Sequence, residues 1–163
     1  TPEFQTIDLD AREWLTTIAD MGLDPQSIIF EITESLLMNN QDQNRQRMHA
    51  LRAAGCGIAI DDFGTGYSAL SYLRSFPIDM VKIDRTFVRS IPGEKQECLL
   101  LDGIINLVNN LGMTLIIEGV ETDDQLDYLK QRQCSYIQGF LFSKPLPFDD
   151  LLSYLQRVMP SRM

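Results

Sequence analysis

The chain has 163 residues, of which 44% are hydrophobic, and its net charge is −9. This length and apolar content suit one globular domain with a buried core. The acidic balance excludes a nucleic-acid polymer as partner, because such binding needs basic surface. No apolar window of about 18 residues is present, so we predict that the domain makes no membrane contact.

The spacing of the cysteines and the single histidine argues against a zinc site. Cys56, Cys98 and Cys134 are widely spaced and form no Cys-x-x-Cys pair, and His49 lies in a polar segment. This cysteine usage is typical of a reducing compartment, and the first residues do not resemble a signal peptide. We expect a cytoplasmic domain, whether free or attached to a membrane-anchored protein.

The first third of the chain alternates helical and strand-like patterns. Apolar residues at helical spacing predict a helix that ends near Gly22. The apolar run 28–30 predicts a strand that ends at Glu31, with Glu34 three residues later. A polar helix is predicted over 41–54.

The next segment combines a buried strand with two adjacent carboxylates. Residues 57–60 are short, apolar and followed at once by Asp61 and Asp62. Neighbouring aspartates repel each other and are costly to bury unless a cation or hydrogen-bond donors neutralise them. The loop that follows contains glycines that permit close approach of a ligand; its residues are Phe63, Gly64, Thr65 and Gly66.

The strand predicted over 80–84 carries two charged residues. Lys82 and Asp84 are two apart and therefore share one face. That spacing is compatible with a buried ion pair between them, with a lysine that serves a site, or with both. A helix is predicted over 94–111.

Two further strands are predicted over 115–117 and 135–137. A capping box formed by Thr122 and Gln125 predicts a helix between them. The polar residues at the two strand ends are Glu118, Glu121 and Gln138.

This alternation of strands and helices predicts an α/β fold with parallel strands whose carboxyl ends meet on one face. A ring of acids would then surround Lys82 there. Unrelated helix caps would explain one or two of the acids, but not acids at the ends of apolar runs. A closed (β/α)8 barrel needs about 250 residues, so we expect either an open sheet or a partial TIM-like barrel that lacks its first strands.

Five ordered motifs resemble the EAL domain, a family of bacterial cyclic di-GMP phosphodiesterases. They are Glu31–Glu34, Asp61–Ser68, Val81–Arg85, Glu118–Thr122, and Gln138–Phe140 with Ser143–Pro145. The resemblance implies a TIM-like barrel that hydrolyses cyclic di-GMP to linear pGpG with two Mg²⁺ or Mn²⁺ ions. Oxygen-only ligands agree with such hard cations, and Ca²⁺ would be a competitor or an inhibitor.

The resemblance also implies roles for single residues. Glu31 and Asp61 resemble ligands of one cation, and Asp61, Asp62 and Glu118 resemble ligands of the other. Lys82 matches a lysine that contacts the attacking water, and Glu121 and Gln138 match residues that hold cation-bound waters. The residues matched to substrate binding or to loop coupling with a dimer interface are Glu34, Asp84, Phe63, Gly64, Thr65 and Gly66.

The sequence also departs from the family pattern. The namesake Glu-x-Leu motif has no counterpart ahead of the other motifs, nor has the asparagine of the next strand. We therefore treat 1–163 as an EAL-type domain that is incomplete at its N-terminus, and we expect this chain alone to be poorly active or inactive. The alternative is a non-catalytic cyclic di-GMP receptor or regulatory module. The family further implies a homodimer and sensory or GGDEF domains in the parent protein.

Overall fold

The computed structural model describes residues 11–37, 41–64 and 73–158. These residues form a five-stranded parallel sheet in the order β1-β2-β3-β4-β5, which confirms the predicted α/β class. The strands are β1 (Ile29–Thr33), β2 (Gly57–Phe63), β3 (Met80–Ile83), β4 (Thr114–Ile117) and β5 (Tyr136–Ile137). Within the described residues the sheet is open, with β1 and β5 at its edges.

Helices connect and flank these strands. They are α1 (Ala11–Asp20), α2 (Glu34–Leu37), α3 (Gln41–Ala53), α4 (Lys95–Asn110), α5 (Asp123–Gln131) and α6 (Phe148–Val158). The predicted capping box starts α5, since the Thr122 hydroxyl accepts from the Gln125 backbone and the Gln125 side chain accepts from the Thr122 backbone. None of the described helices is long and apolar enough to cross a membrane.

The two faces of the sheet differ in chemistry because strand side chains alternate in direction. Neighbouring strands of this sheet are consecutive in the chain. Because crossovers between parallel strands are right-handed, the connecting helices lie on one face of the sheet. The buried strand residues on that face are Phe30, Ile32, Ile58, Ile60, Val81, Ile83, Leu115 and Ile117. They belong to one core cluster with helix residues such as Met48, Leu101 and Leu129. Glu31, Asp61 and Lys82 belong to the opposite set of alternate positions.

The predicted ends of β1 and β2 were wrong. Glu31 lies inside β1, and both Asp61 and Asp62 lie inside β2. A bulge explains the longer second strand: Ile60 pairs with Val81 but Phe63 pairs with Ile83, so two aspartates stand opposite one residue of β3. Carboxylates are uncommon in strands, which is why the sequence suggested an earlier end.

A polar cluster joins α4 to the end of α5. The Tyr128 hydroxyl donates to Asp102 Oδ1 at 3.0 Å, and Arg132 Nη2 donates to Asp102 Oδ2 at 3.0 Å. Arg132 Nε also donates to Asp102. The bonds from Arg132 lower the pKa of Asp102 despite the opposing effect of its burial. The cluster therefore fixes two neighbouring helices through a charged carboxylate.

Candidate active site

Lys82, on β3, is at the centre of three acids that come from β1, from β2 and from the end of β4. Its Nζ lies 2.8 Å from Glu31 Oε2, 3.0 Å from Asp61 Oδ1 and 2.8 Å from Glu118 Oε1. The lysine side chain is only 8% exposed, whereas that of Glu31 is 47% exposed. The structure thus brings together residues that are 87 positions apart in sequence (118 − 31). We call these four residues the lysine–carboxylate cluster.

The charge state of Lys82 follows from this environment. Burial alone would lower its pKa, because an ammonium loses hydration. Hydrogen bonds to Glu118, Glu31 and Asp61 outweigh that effect and raise the pKa above the usual lysine value. Lys82 is therefore a cation throughout the neutral range. The ion pair with Asp84, weighed from sequence, is not formed among the described residues; Asp84 instead accepts from the Thr86 backbone at 2.9 Å.

The bulge in β2 places Asp62 beside the cluster. Without it, Asp61 and Asp62 would point to opposite faces of the sheet. Asp62 has a φ of 55°, a left-handed conformation that is uncommon outside glycine. Burial and the neighbouring charges of Asp61 and Asp84 raise the pKa of Asp62, while Lys82 acts in the opposite direction. A further cation near this aspartate would relieve the repulsion.

The end of β2 is held by contacts from two other elements. Buried Glu34 accepts from the Gly64 backbone through Oε2 at 3.3 Å, and its Oε1 has no hydrogen-bond partner among the described residues. Gly64 has a φ of 92°, and a Cβ there would lie 2.6 Å from Phe87 Cζ. Phe63 is buried in the core. The predicted loop residues Thr65 and Gly66 lie outside the described residues.

A cavity of about 980 Å³ opens next to the cluster. Glu118 belongs to both, and the predicted residues Asp84, Glu121 and Gln138 also line the cavity. The Gln125 side chain accepts from the Glu121 backbone at 2.8 Å and donates to the Val88 carbonyl at 3.0 Å, so it fixes the segment that carries Glu121. The structure therefore places these strand-end residues around one space.

Two basic residues of the cavity wall were not assigned a role from sequence. Arg85 and Lys144 line the cavity together with aromatic residues such as Phe140 and Tyr154. Arg85 directly follows the Lys82–Asp84 strand motif, which was a usable signal. Lys144 lies within the Ser143–Pro145 motif, but only the folded chain brings it to the ends of β3 and β4.

Close backbone packing builds the same wall. A Cβ at Gly139 would lie 2.0 Å from the Val120 carbonyl oxygen, and one at Gly119 would lie 2.2 Å from Arg85 Cβ. Two hydrogen bonds cross this contact, from Val120 N to the Gln138 carbonyl at 3.2 Å and from Leu141 N to the Val120 carbonyl at 3.0 Å. Glycine at 139 therefore lets the ends of β4 and β5 meet, and glycine at 119 lets the segment after β4 pack against Arg85.

The donor chemistry of the cluster fits a hard divalent cation, because its ligand atoms are carboxylate oxygens from neighbouring strands. Their present spacing suits an ammonium instead: the oxygens lie 2.8–3.0 Å from Lys82 Nζ, whereas Mg²⁺ requires about 2.1 Å. Accordingly, within the described ranges no three His, Cys, Asp or Glu side chains could hold a metal ion as they stand. A cation bound by these oxygens would draw them closer than they now lie to Lys82 Nζ.

Comparison with known proteins decides the family. The family model for the EAL domain matches residues 3–145. The chain belongs to the EAL domain family. It is 39% identical over 137 residues to the cyclic di-GMP phosphodiesterase RocR of Pseudomonas aeruginosa, covering 84% of this chain and 35% of RocR.

Solved EAL structures share the fold. The EAL domain of Mycobacterium smegmatis DcpA superposes with a TM-score of 0.87 at 35% identity, covering 93% of this chain and 68% of that one. BlrP1 of Klebsiella pneumoniae, solved with manganese and cyclic di-GMP, gives a TM-score of 0.77 at 39% identity over 83% of this chain and 35% of its own. A calcium complex of BlrP1 with the same dinucleotide is similar as well. The chain therefore spans about a third of the length of RocR and BlrP1.

Proposed function

We propose that this EAL chain takes part in hydrolysis of cyclic di-GMP to linear pGpG, with Mg²⁺ or Mn²⁺ as cofactor. The observation that carries the proposal is the convergence of Glu31, Asp61 and Glu118 from separate strands beside a cavity. The relationship to RocR, named as a cyclic di-GMP phosphodiesterase, supports the reaction. BlrP1, solved with manganese and cyclic di-GMP, supports the cofactor.

The carboxylates have a direct role in this proposal. Glu31 and Asp61 would hold one cation, and Asp61, Asp62 and Glu118 the other. Cations held there would withdraw electron density from a phosphodiester and would make water a better nucleophile near neutral pH. Without that positive charge, a phosphodiester anion would be repelled by this group of acids.

The cavity residues would bind and orient the dinucleotide. The volume of the cavity, about 980 Å³, is at the upper end of the range for small-molecule sites. Arg85 and Lys144 would offset phosphate charge at the cavity wall, and Phe140 would offer an aromatic face to a base. Glu121 and Gln138 would position water. Correct alignment matters because displacement by about 1 Å can cost roughly a hundredfold in rate.

A cyclic di-GMP receptor without turnover is the second candidate. It is supported by the cavity residues Arg85, Lys144 and Phe140, which would hold the dinucleotide without any contribution from the carboxylates. We expect turnover by this chain to be slow, because Lys82 pairs with three of the carboxylates that a cation would need.

Separate measurements of binding and hydrolysis test both candidates. Binding of cyclic di-GMP is measured by calorimetry in CaCl₂, in which we expect hydrolysis to be suppressed, and pGpG release is followed by chromatography in MnCl₂. We expect binding and slow release, with release lost in Asp61→Asn and retained in the surface control Asp127→Asn. Binding without release would establish the receptor, and absence of binding would refute both candidates.

Location and assembly are further parts of the proposal. We infer a cytoplasmic domain, in keeping with the three free cysteines. Exposed apolar residues on α6, among them Leu152 and Leu155, support association with a second copy. Sensory or GGDEF domains would accompany the chain in the parent protein, and size-exclusion chromatography with light scattering tests the homodimer.

A further inference from the structure

Lys82 makes contacts that a divalent cation at the same carboxylates would also need. Its Nζ is within 2.8–3.0 Å of oxygens from Glu31, Asp61 and Glu118. These are three of the four residues proposed above as cation ligands. The lysine side chain is 8% exposed and sits on the middle strand of the sheet, so its charge is directed at this cluster rather than at solvent.

An ammonium and a divalent cation cannot both make their shortest contacts with the same carboxylate oxygens. A cation such as Mg²⁺ binds oxygen at about 2.1 Å, so each carboxylate oxygen would move toward the metal and away from Nζ. The two positive charges would also repel each other at a separation of a few ångströms, in a partly buried place where solvent screens them weakly. Every cation bound therefore weakens the ion pairs of Lys82.

We propose that Lys82 competes with the divalent cation for the carboxylates of the lysine–carboxylate cluster and thereby sets the affinity of the site for cations. The ammonium keeps three acids compensated and close together, and it is displaced from them when a cation binds. This inference rests on the proposed function only in taking Glu31, Asp61 and Glu118 as cation ligands. It assigns Lys82 a role in cation affinity that is separate from any role toward water or substrate.

Substitution of Lys82 by methionine isolates the charge, because the side chains are similar in length. In buffer without divalent cations, Lys82→Met should melt roughly 5–10 °C lower than wild type, since three carboxylates lose their partner. The affinity for Mn²⁺ should change in the opposite direction to the stability. Calorimetry should show Mn²⁺ binding at least about tenfold tighter to Lys82→Met than to wild type, equivalent to about 1.4 kcal/mol. Thermal stabilisation by Mn²⁺ should increase accordingly.

Two controls tie this effect to the cluster. Lys130→Met removes an exposed lysine that pairs with Asp127 at 3.8 Å, and it should leave Mn²⁺ affinity unchanged. Adding Asp61→Asn to Lys82→Met should abolish the gain. Equal or weaker Mn²⁺ binding by Lys82→Met than by wild type would overturn the proposal while leaving the cation site intact. No Mn²⁺ binding by either protein would overturn the proposed function as well.

If Lys82→Met does not fold, a measurement on the wild-type chain tests whether Mn²⁺ displaces the Lys82 ammonium from its carboxylates. Acetylation with an amine-reactive ester, followed by chymotryptic digestion and mass spectrometry, reports the accessibility of each lysine. Mn²⁺ should raise the labelling rate of Lys82 at least about threefold, because the ammonium leaves its carboxylates, and should leave exposed Lys95 unchanged. Unchanged or reduced labelling of Lys82 at saturating Mn²⁺ would refute the displacement.

Discussion

Replacement of Gly139 by alanine tests the close packing that builds the cavity wall. The added methyl would lie 2.0 Å from the Val120 carbonyl oxygen and 2.4 Å from the Val120 nitrogen, both of which are backbone atoms that cannot turn away. The two strand ends must separate, which breaks the hydrogen bonds from Val120 N to Gln138 and from Leu141 N to Val120. At about 1–2 kcal/mol for each lost bond in this partly buried wall, the variant should lose about 2–4 kcal/mol of stability.

Thermal unfolding followed by circular dichroism measures this loss. For a chain of this size, about 2–4 °C is lost per kcal/mol, so Gly139→Ala should melt roughly 5–15 °C below wild type. Gly103→Ala is the matched control: it lies in α4 with nothing within 4 Å of its added methyl, and it should stabilise the chain by about 0.5–1 kcal/mol through helix propensity. If Gly139→Ala melts within 2 °C of wild type, the ends of β4 and β5 are not in the described contact.

Two other substitutions test the supports of the site. Gly64→Ala combines a φ of 92° with a clash against Phe87, and should lower the free energy of unfolding in urea by about 1–3 kcal/mol. The control Gly22→Ala has a φ of 65° and open space around the added methyl, so it should cost less. Equal costs would show that Phe87 does not press on Gly64. Asp102→Asn should cost about 1–2 kcal/mol at pH 7, because part-exposed Asp102 holds Arg132 and Tyr128. Folding lowers the pKa of Asp102, so the contribution of this carboxylate to stability is complete above the ordinary aspartate pKa of about 3.9 and is lost as pH falls through the lower folded pKa. A stability difference between wild type and Asp102→Asn that grows below pH 4 would contradict this assignment.

Local patterns accounted for the elements and for most of the acids near the site. The alternation of apolar runs and helical spacings predicted five parallel strands with helices between them, because each pattern depends on neighbours a few residues away. The capping box at Thr122 was predicted and confirmed for the same reason. Helix capping does explain Asp84, which caps a short turn, but it does not explain Glu31, Asp61 or Glu118, which face Lys82.

Long-range geometry supplied what those patterns lack. The bulge that puts Asp61 and Asp62 opposite Lys82 depends on the register between β2 and β3, which a single strand does not encode. The same holds for Lys144 and Arg85, which meet at one cavity although they are 59 residues apart (144 − 85).

The sequence by itself determined that this protein has an α/β fold with acids in or directly after its strands, because side-chain periodicity and helix caps are local properties. Only the tertiary structure decided that Glu31, Asp61 and Glu118 enclose Lys82 rather than each capping a helix. The physical reason is that strand register and crossover packing fix distances between residues far apart in the chain. Those distances determine which charges share one site and compete there.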